Sequence, residues 1–276
     1  MVVQQHRRRS GAVVVAAAVL GMAATSGCSA GGGAVADDRW GGGAGDRVRR
    51  AADVLAATGS SRARTSMETA TGGTRVTIRG EGGYDFRRRM GQLVVVLPKD
   101  PSGADEHSPV TELLAPGALY MKNRGAGVPA DKWVRVDTTT LADGNLVTGG
   151  ATDPLAAAEL LRSAQGVTYV GDERLAGTTV RHYRGTTDIA RAARVAEPHA
   201  RASLAAAAKG FAKDTVPFDA YLDEQGRLRK VRHRFSFTNE RGTVAVTSTT
   251  LLYDFGAPIV VRLPEERDIY AGRIRA

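Results

Sequence analysis

The fold is decided by residues 76–97, which read VTIRGEGGYDFRRRMGQLVVVL. Val76 and Ile78 alternate with polar residues, as do Tyr84 and Phe86, and the last five residues form an apolar run. A period of two places successive side chains on opposite faces of a strand, so the alternation predicts strands with one apolar face. The glycine-rich segment between the two alternating parts predicts a turn. Together these features predict consecutive strands of an antiparallel sheet.

The same signature recurs further along the chain. Short apolar or alternating runs, each bounded by Gly, Pro, Asn or Asp, predict further strands, and a polar segment predicts a loop. The strands are expected at Leu119–Met121, Trp133–Val136, Val167–Val170, Thr178–Thr186, Phe218–Leu222, Leu228–Phe237, Val244–Phe255 and Ile259–Leu263, and the loop at Lys99–Pro109.

Three segments change to the helical period. They are Arg47–Ala57 with Asp46 as N-cap, a helix opened by Asp153 and Pro154, and a longer region from about Asp188 to Lys209 that breaks near Pro198. An acidic N-cap followed by proline is a typical helix start, and an internal proline interrupts a helix. Many strands with few helices, and no strict alternation of the two, predict an α+β protein dominated by one antiparallel sheet.

The amino terminus carries an export signal. Three arginines at residues 7–9 precede an apolar stretch from Ala12 to Ala24, which is typical of a signal peptide and shorter than the roughly 20 residues that span a bilayer. The stretch leads into Thr25-Ser26-Gly27-Cys28, which resembles the lipobox of bacterial lipoproteins, although that pattern usually has an aliphatic residue in place of Thr25. The general and the twin-arginine export routes both fit.

Cys28 is the only cysteine of the chain, and a thiol is the group that a diacylglycerol thioether requires. We therefore expect residues 1–27 to be removed, Cys28 to be lipidated, and residues 28–45 to form a flexible glycine-rich tether. Residues 46–270 are then a single domain on the outer face of the plasma membrane. The alternative is that Cys28 is only a small residue near the cleavage site of a protein secreted free.

The net charge of +9 invites a nucleic-acid hypothesis. The arginines are spread over alternating strands rather than gathered with aromatics on one surface, and an exported protein rarely meets nucleic acid, so no nucleic-acid partner is expected. A position beside an anionic membrane is the more natural setting for this positive surface. The alternative is that the arginines only keep the outer face of the sheet soluble. Abundant Ala, Gly and Arg with few Lys suggests an actinobacterium.

A search for catalytic and metal-binding patterns finds none. HExxH, GxSxG and GxxxxGK[ST] are absent, and no two histidines of the mature chain have the i, i+4 spacing of a helical zinc site. Asp223 and Glu224 precede Gln225-Gly226 between two predicted strands, which is typical of a turn. The sequence therefore predicts neither a catalytic site nor a metal or cofactor.

The order of several segments resembles the actinobacterial lipoproteins of the LppX/LprG type, which are similar in fold to the LolA and LolB carriers. The segments span most of the mature chain and are Thr77–Gly80, Tyr84–Phe86, Gly117–Met121, Lys132–Val136, Asp153–Pro154, Val170–Glu173, His182–Gly185, Pro217–Asp223, Gly226–Leu228 and Tyr253–Gly256. The resemblance implies a large curved antiparallel sheet, a half-barrel, with helices packed on its concave face. It also implies a hydrophobic cavity that accepts the acyl chains of a lipid or lipoglycan.

The candidate residues for lining such a cavity are Ile78, Phe86, Leu93, Val95, Leu161 and Phe235. A solidly packed core would use the same residue types, so the pattern alone leaves both interpretations open. Two other functions remain: an envelope structural or regulatory protein that binds another protein without a ligand cavity, and a hydrolase without a recognisable motif.

Overall fold

The structure is a computed structural model that describes residues 42–71, 74–98, 108–125, 127–239 and 242–272. The predicted signal peptide, Cys28 and nearly all of the predicted tether lie outside the described residues, as does most of the predicted loop at Lys99–Pro109. No helix in the described ranges is long and apolar enough to cross a membrane.

Strands hold more of the described residues than helices do. They are β1 (Ser60–Thr71), β2 (Thr74–Asp85), β3 (Met90–Val96), β4 (Val110–Ala115), β5 (Ala118–Lys122), β6 (Trp133–Asp137), β7 (Gln165–Leu175), β8 (Thr178–Asp188), β9 (Thr215–Leu222), β10 (Leu228–Asn239) and β11 (Gly242–Tyr253). They form one antiparallel sheet in the order β6-β5-β4-β3-β2-β1-β11-β10-β9-β8-β7. Its two outermost strands do not pair with each other, so the sheet is an open half-barrel, as predicted.

Helices cover the inner, concave face of the sheet. They are α1 (Ala44–Arg49), α2 (Ala51–Thr58), α3 (Pro154–Leu160), α4 (Ile189–Val195) and α5 (Pro198–Gly210), and a 3₁₀ turn (Leu161–Ser163) follows α3. The predicted start of α3 is confirmed, because the Asp153 carboxylate accepts hydrogen bonds from the backbone N–H groups of Leu155 at 2.7 Å and Ala156 at 3.1 Å. The break near Pro198 is also confirmed, since α5 begins there.

The pleat of the strands sorts their side chains between the two faces. In β3, Gly91, Leu93 and Val95 are buried, whereas the alternate residues Gln92 and Val94 are exposed. This arrangement places the apolar half of each strand against the helices, as the alternation in residues 76–97 predicts.

The predicted turn at Gly80–Gly83 is wrong, because β2 runs straight through this segment. The glycines allow neighbouring strands to approach closely and do not reverse the direction of the chain. A Cβ at Gly82 would collide with the carbonyl oxygen of Gln92 on β3, and one at Gly80 would lie 2.6 Å from the Thr65 hydroxyl oxygen on β1. They allow the neighbouring strands to pack tightly where the sheet is curved.

Two other expectations also differ from the structure. The predicted strand at Ile259–Leu263 is wrong: the segment has no strand pairing and lies between Pro258 and Pro264, which lack the N–H that a strand ladder needs. The predicted first helix is split into α1 and α2 at Arg50, whose backbone still donates to the Asp46 carbonyl oxygen.

Candidate functional site

The buried side chains form two clusters on the concave face. The first core cluster joins α1, α2, α3 and the 3₁₀ turn to the inner face of the sheet; among its members are Leu55, Phe86, Leu93 and Leu161. The second core cluster lies under α4 and α5 and includes Met67, Phe211, Phe235 and Val246. The candidate site lies at the edge of the second cluster.

A segment that we call the strap, residues 139–152, connects β6 to α3 across the concave face. The Asp143 carboxylate holds its turn by accepting hydrogen bonds from the backbone N–H groups of Val147 at 2.7 Å and Thr148 at 2.6 Å. At its far end the Thr152 hydroxyl lies 2.6 Å from that of Ser248, which faces inward from β11. The strap is therefore fixed both within itself and to the sheet.

Two glycines bring the strap into backbone contact with α5. A Cβ at Gly144 would collide with the carbonyl oxygen of Ser203, and a Cβ at Gly210 would collide with that of Ala142. Gly144 also has a φ of +57°, which favours glycine. Because neither contact leaves room for a side chain, the strap and α5 form one continuous cover.

A groove of about 380 Å³ lies between this cover and the inner face of β1, β2 and β11. The strands contribute Met67, Thr69, Ile78 and Val246, the strap contributes Ala142, Asp143, Val147, Thr148 and Gly150, and the end of α5 contributes Gly210 and Phe211. The volume falls within the roughly 300–1,000 Å³ typical of small-molecule sites. Apolar side chains form the floor, so the groove suits an apolar ligand.

A smaller cleft of about 60 Å³ lies on the other side of the strap, between α3, α5 and the turn after β4. Its polar groups include Tyr84, whose hydroxyl donates to Asp153 at 3.1 Å, and His199. Burial raises the pKa of Asp153 and of Tyr84, while burial and the nearby Arg89 charge lower the pKa of His199. The cleft is much smaller than the roughly 300–1,000 Å³ typical of small-molecule sites.

The predicted cavity residues fall in different places. Ile78 lines the groove, and Val95 stands beside it, since a Cβ on Gly150 would contact both side chains at 3.2 and 3.5 Å. The other candidates are buried inside the clusters rather than at the groove: Phe86, Leu93 and Leu161 in the first and Phe235 in the second. Their role as cavity lining stays a prediction, and Cys28 lies outside the described residues.

Sequence reasoning missed most of the groove. Met67 lies on β1, which was not predicted, and Val147 lies on the strap, which has no periodic pattern. The signal that could have found the strap is the pair Gly149-Gly150 before the cap of α3, because adjacent glycines favour close backbone approach.

The convex face carries a separate charged cluster. The Asp219 carboxylate accepts hydrogen bonds from His182 at 2.8 Å, Arg184 at 3.0 Å and Arg234 at 2.6 Å. Burial opposes its ionisation, but these three bonds outweigh burial and lower the pKa of Asp219 to about 2. The His182 ring also stacks on Tyr221 with centroids 4.3 Å apart. All the bonded groups have partners within the cluster, which indicates a structural role.

No family model matches the sequence, and no curated protein matches it either. Solved structures do resemble it. They include the lipoprotein LppX of Mycobacterium tuberculosis (TM-score 0.46, 11% identity, 79% of this chain and 98% of that chain covered) and LprF of Mycobacterium bovis (TM-score 0.41, 14% identity, 80% and 96% covered).

A LolA-superfamily protein of Nitrosomonas europaea is also similar, with a TM-score of 0.34, 12% identity, and coverage of 76% of this chain and 94% of that chain. This similarity concerns the fold, and the functional argument rests on the groove itself.

The described residues also limit the chemistry of the site. Within them, no group of three or more His, Cys, Asp or Glu side chains could hold a metal ion. The groove lining contributes one carboxylate, Asp143, whose two oxygens already accept bonds from the strap backbone. Such an arrangement favours binding through apolar contact.

Proposed function

We propose that this protein is a lipid-anchored, extracytoplasmic binding protein that holds an acyl chain of a lipid or lipoglycan in the groove and performs no catalysis. The observation that carries the proposal is the groove of about 380 Å³ floored by Met67, Ile78 and Val246. A hydrocarbon chain leaves water when it lies between an apolar floor and a closed cover. Here the cover is closed because the backbones of the strap and α5 are in contact.

The energy of binding comes from the hydrophobic effect. Each buried CH₂ group of an acyl chain contributes about 0.8 kcal/mol, so a chain inserted by several methylenes gains several kcal/mol without any polar contact. Met67 and Val246 are nearly fully buried, whereas Ile78 is only half-buried. A chain that covers the exposed half of Ile78 therefore gains contact that the free protein lacks.

The lipid test uses the full-length protein purified from membranes. Its noncovalently bound lipids are extracted with organic solvent and identified by mass spectrometry, and uptake of a fluorescent fatty acid is measured. The variant Ile78→Trp fills the groove and is expected to lose most bound lipid and uptake. The matched control is Val94→Trp on the convex face, where Val94 is 42% exposed, and it should bind as the wild type does.

Two results would count against the groove: absence of both extracted lipid and uptake in the wild-type protein, or equal uptake in the two tryptophan variants. Circular dichroism of both variants shows whether each has kept its fold, so that a folding defect is not mistaken for a filled groove.

The anchor is tested separately at Cys28. In this proposal residues 1–27 are removed, Cys28 carries the lipid, and residues 28–45 tether the domain 46–270 to the outer face of the plasma membrane. Metabolic labelling with an alkyne palmitate analogue should label the wild-type chain and not Cys28→Ser, which has no other cysteine to modify. Equal labelling of both proteins contradicts the anchor but leaves the groove untouched.

A second candidate function, binding of another envelope protein, is favoured by one edge of the sheet. Among the described strands β7 pairs only with β8, and it exposes Tyr169 at 43% and Val170 at 49%. An open strand edge can accept an extended segment of a partner. A photo-reactive residue at Val170 should then crosslink one protein in intact cells, and crosslinking that is equal from Val94 would contradict this role.

A further inference from the structure

Glu112 is a carboxyl group with no visible reason to be buried. It faces inward from β4, between Leu93 of β3 and Met121 of β5 in the strand register. It is fully buried, and neither of its carboxylate oxygens has a hydrogen-bond partner among the described residues. Since burial of an unpaired carboxylate is costly, its oxygens call for a compensating group.

A second unpartnered oxygen lies close by. Asn145 of the strap is 6% exposed, and its side-chain carbonyl Oδ1 likewise has no partner among the residues that the structure describes. Its backbone is left-handed, with φ +65°, a conformation that Asn adopts more readily than most residues.

Gly149 brings these oxygens together. A Cβ on Gly149 would lie 3.1 Å from Asn145 Oδ1 and 3.4 Å from each of Glu112 Oε1 and Oε2. Three acceptor oxygens from two chain segments therefore surround a place that a glycine leaves without a side chain. Asp143, the neighbouring acid of the strap, is not part of this set, because its oxygens are occupied by backbone and hydroxyl donors.

The chemical type of these three oxygens determines which ligand can bind. Carboxylate and amide oxygens are ligands of hard cations, whereas an anion would find no donor here. Burial raises the pKa of Glu112 to about 8, so a bound cation takes the place of the carboxyl proton. A monovalent ion then leaves the charge of the site unchanged, whereas a divalent ion would add a positive charge to the interior. We propose that Glu112 and Asn145 bind a monovalent alkali cation such as Na⁺ or K⁺ beside Gly149.

The ion would join the strap to the sheet. Glu112 belongs to β4 and Asn145 to the strap, so a cation shared between them adds a link between the sheet and the strap, close to Gly150 of the groove lining. This proposal stands on the unpartnered oxygens and does not depend on lipid binding.

The test measures thermal unfolding of the full-length protein in NaCl, KCl and N-methyl-D-glucamine chloride at equal ionic strength. A ligand that binds only the folded state raises Tm as its concentration rises above the Kd. Tm is expected to rise with Na⁺ or K⁺ relative to the bulky organic cation. Identical Tm values in the three salts overturn the proposal.

Variants assign the effect to the site. Glu112→Gln should abolish the salt-specific rise in Tm, and Gly149→Ala should shift it to at least tenfold higher cation concentration, because a methyl group occupies the space between the oxygens. The control is Glu68→Gln, an acid on the convex face that pairs with Arg75 at 2.9 Å, and it should respond as the wild type does. A cation response that survives in Glu112→Gln overturns the assignment.

A second measurement covers the case in which Glu112→Gln fails to fold. The ²³Na NMR line should be broader in the presence of the wild-type protein than in the same buffer without protein, and it should narrow when K⁺ is added as a competitor. Gly149→Ala, whose backbone φ is not in the left-handed region, should fold and show the narrower line. Equal line widths for the wild type and Gly149→Ala contradict a site at this place.

Discussion

The two core clusters are built from the same alternating strands, but different elements cover them. In the first, helices α2 and α3 and the 3₁₀ turn lie over the sheet, and Leu93 and Leu161 are 1% and 0% exposed. At the edge of the second, the strap and the last turn of α5 form the cover, and the groove stays open beside Met67 and Ile78. An apolar strand face thus becomes core or binding site according to the element that covers it.

The first prediction contrasts a leucine of the closed cluster with an isoleucine of the groove. Leu161→Ala should lower the free energy of unfolding by about 2–5 kcal/mol, because it removes a fully buried side chain and leaves a cavity. Ile78→Ala should cost about 1 kcal/mol or less, since its side chain is half-buried beside space that already exists. Denaturant unfolding of the full-length protein measures both.

Equal losses for the two variants would show that the groove is as tightly packed in solution as the first cluster. A loss for Ile78→Ala that shrinks after lipid is removed by extraction would show instead that ligand contact normally stabilises that position.

The sequence predicted the closed part of the molecule better than the open part. Alternation and turn residues were sufficient for most strands of the sheet, and a capping residue followed by proline was sufficient for the start of α3, because these signals are local. Strand β1 was missed because its inward residues include Ser61, Ala63 and Thr65. These side chains are too small or too polar to produce a visible apolar alternation in the sequence. Yet β1 lies at the centre of the sheet order.

The groove could not be predicted from pattern, for a physical reason. Its walls come from β1, β2, β11, the strap and the end of α5, which are brought together only by the fold. Five of the six candidate residues chosen from the sequence are at most 2% exposed, and burial and cavity lining demand the same residue types. The feature that separates them is the backbone contact of Gly144 and Gly210, which sequence reasoning did not weigh.

The second prediction tests whether the strap holds the groove in shape. Gly144→Ala places a methyl group against the Ser203 carbonyl oxygen in addition to straining a φ of +57°. Gly117→Ala is a matched control, because its φ is +71° and a Cβ there meets nothing within 4 Å. The strain of a left-handed residue is about 1 kcal/mol in both, and the collision adds a further cost in Gly144→Ala alone.

The measurement for this pair is unfolding free energy together with fatty-acid uptake. Gly117→Ala should bind as the wild type does, whereas Gly144→Ala should be less stable than Gly117→Ala and should alter uptake, because the strap is displaced. Indistinguishable stabilities for the two variants would mean that the strap does not press on α5 in solution.

The third prediction asks how far water from the groove reaches into the second cluster. His233 lies on β10, two strands from Met67 through the register partner Ser248, which is a distance of about 10 Å. Burial lowers the pKa of His233 to about 3, so the folded protein keeps the ring neutral whereas the unfolded chain binds a proton below about 6.5. The unfolded state therefore gains protons first as the pH falls.

It follows that His233 makes the protein less stable towards acid between pH 6.5 and pH 3, with a slope of up to about 1.4 kcal/mol per pH unit. His233→Gln should remove that slope, and the difference between the two proteins should be constant above pH 7. Unfolding titrations between pH 4 and 8 measure it without the contribution of Asp219, whose stabilisation is lost only below about pH 4 as the pH falls towards its folded pKa of about 2. Parallel curves of unfolding free energy against pH for the two proteins would show that water enters from the groove and hydrates His233. The open region would then extend further into the second cluster than it does in the structure.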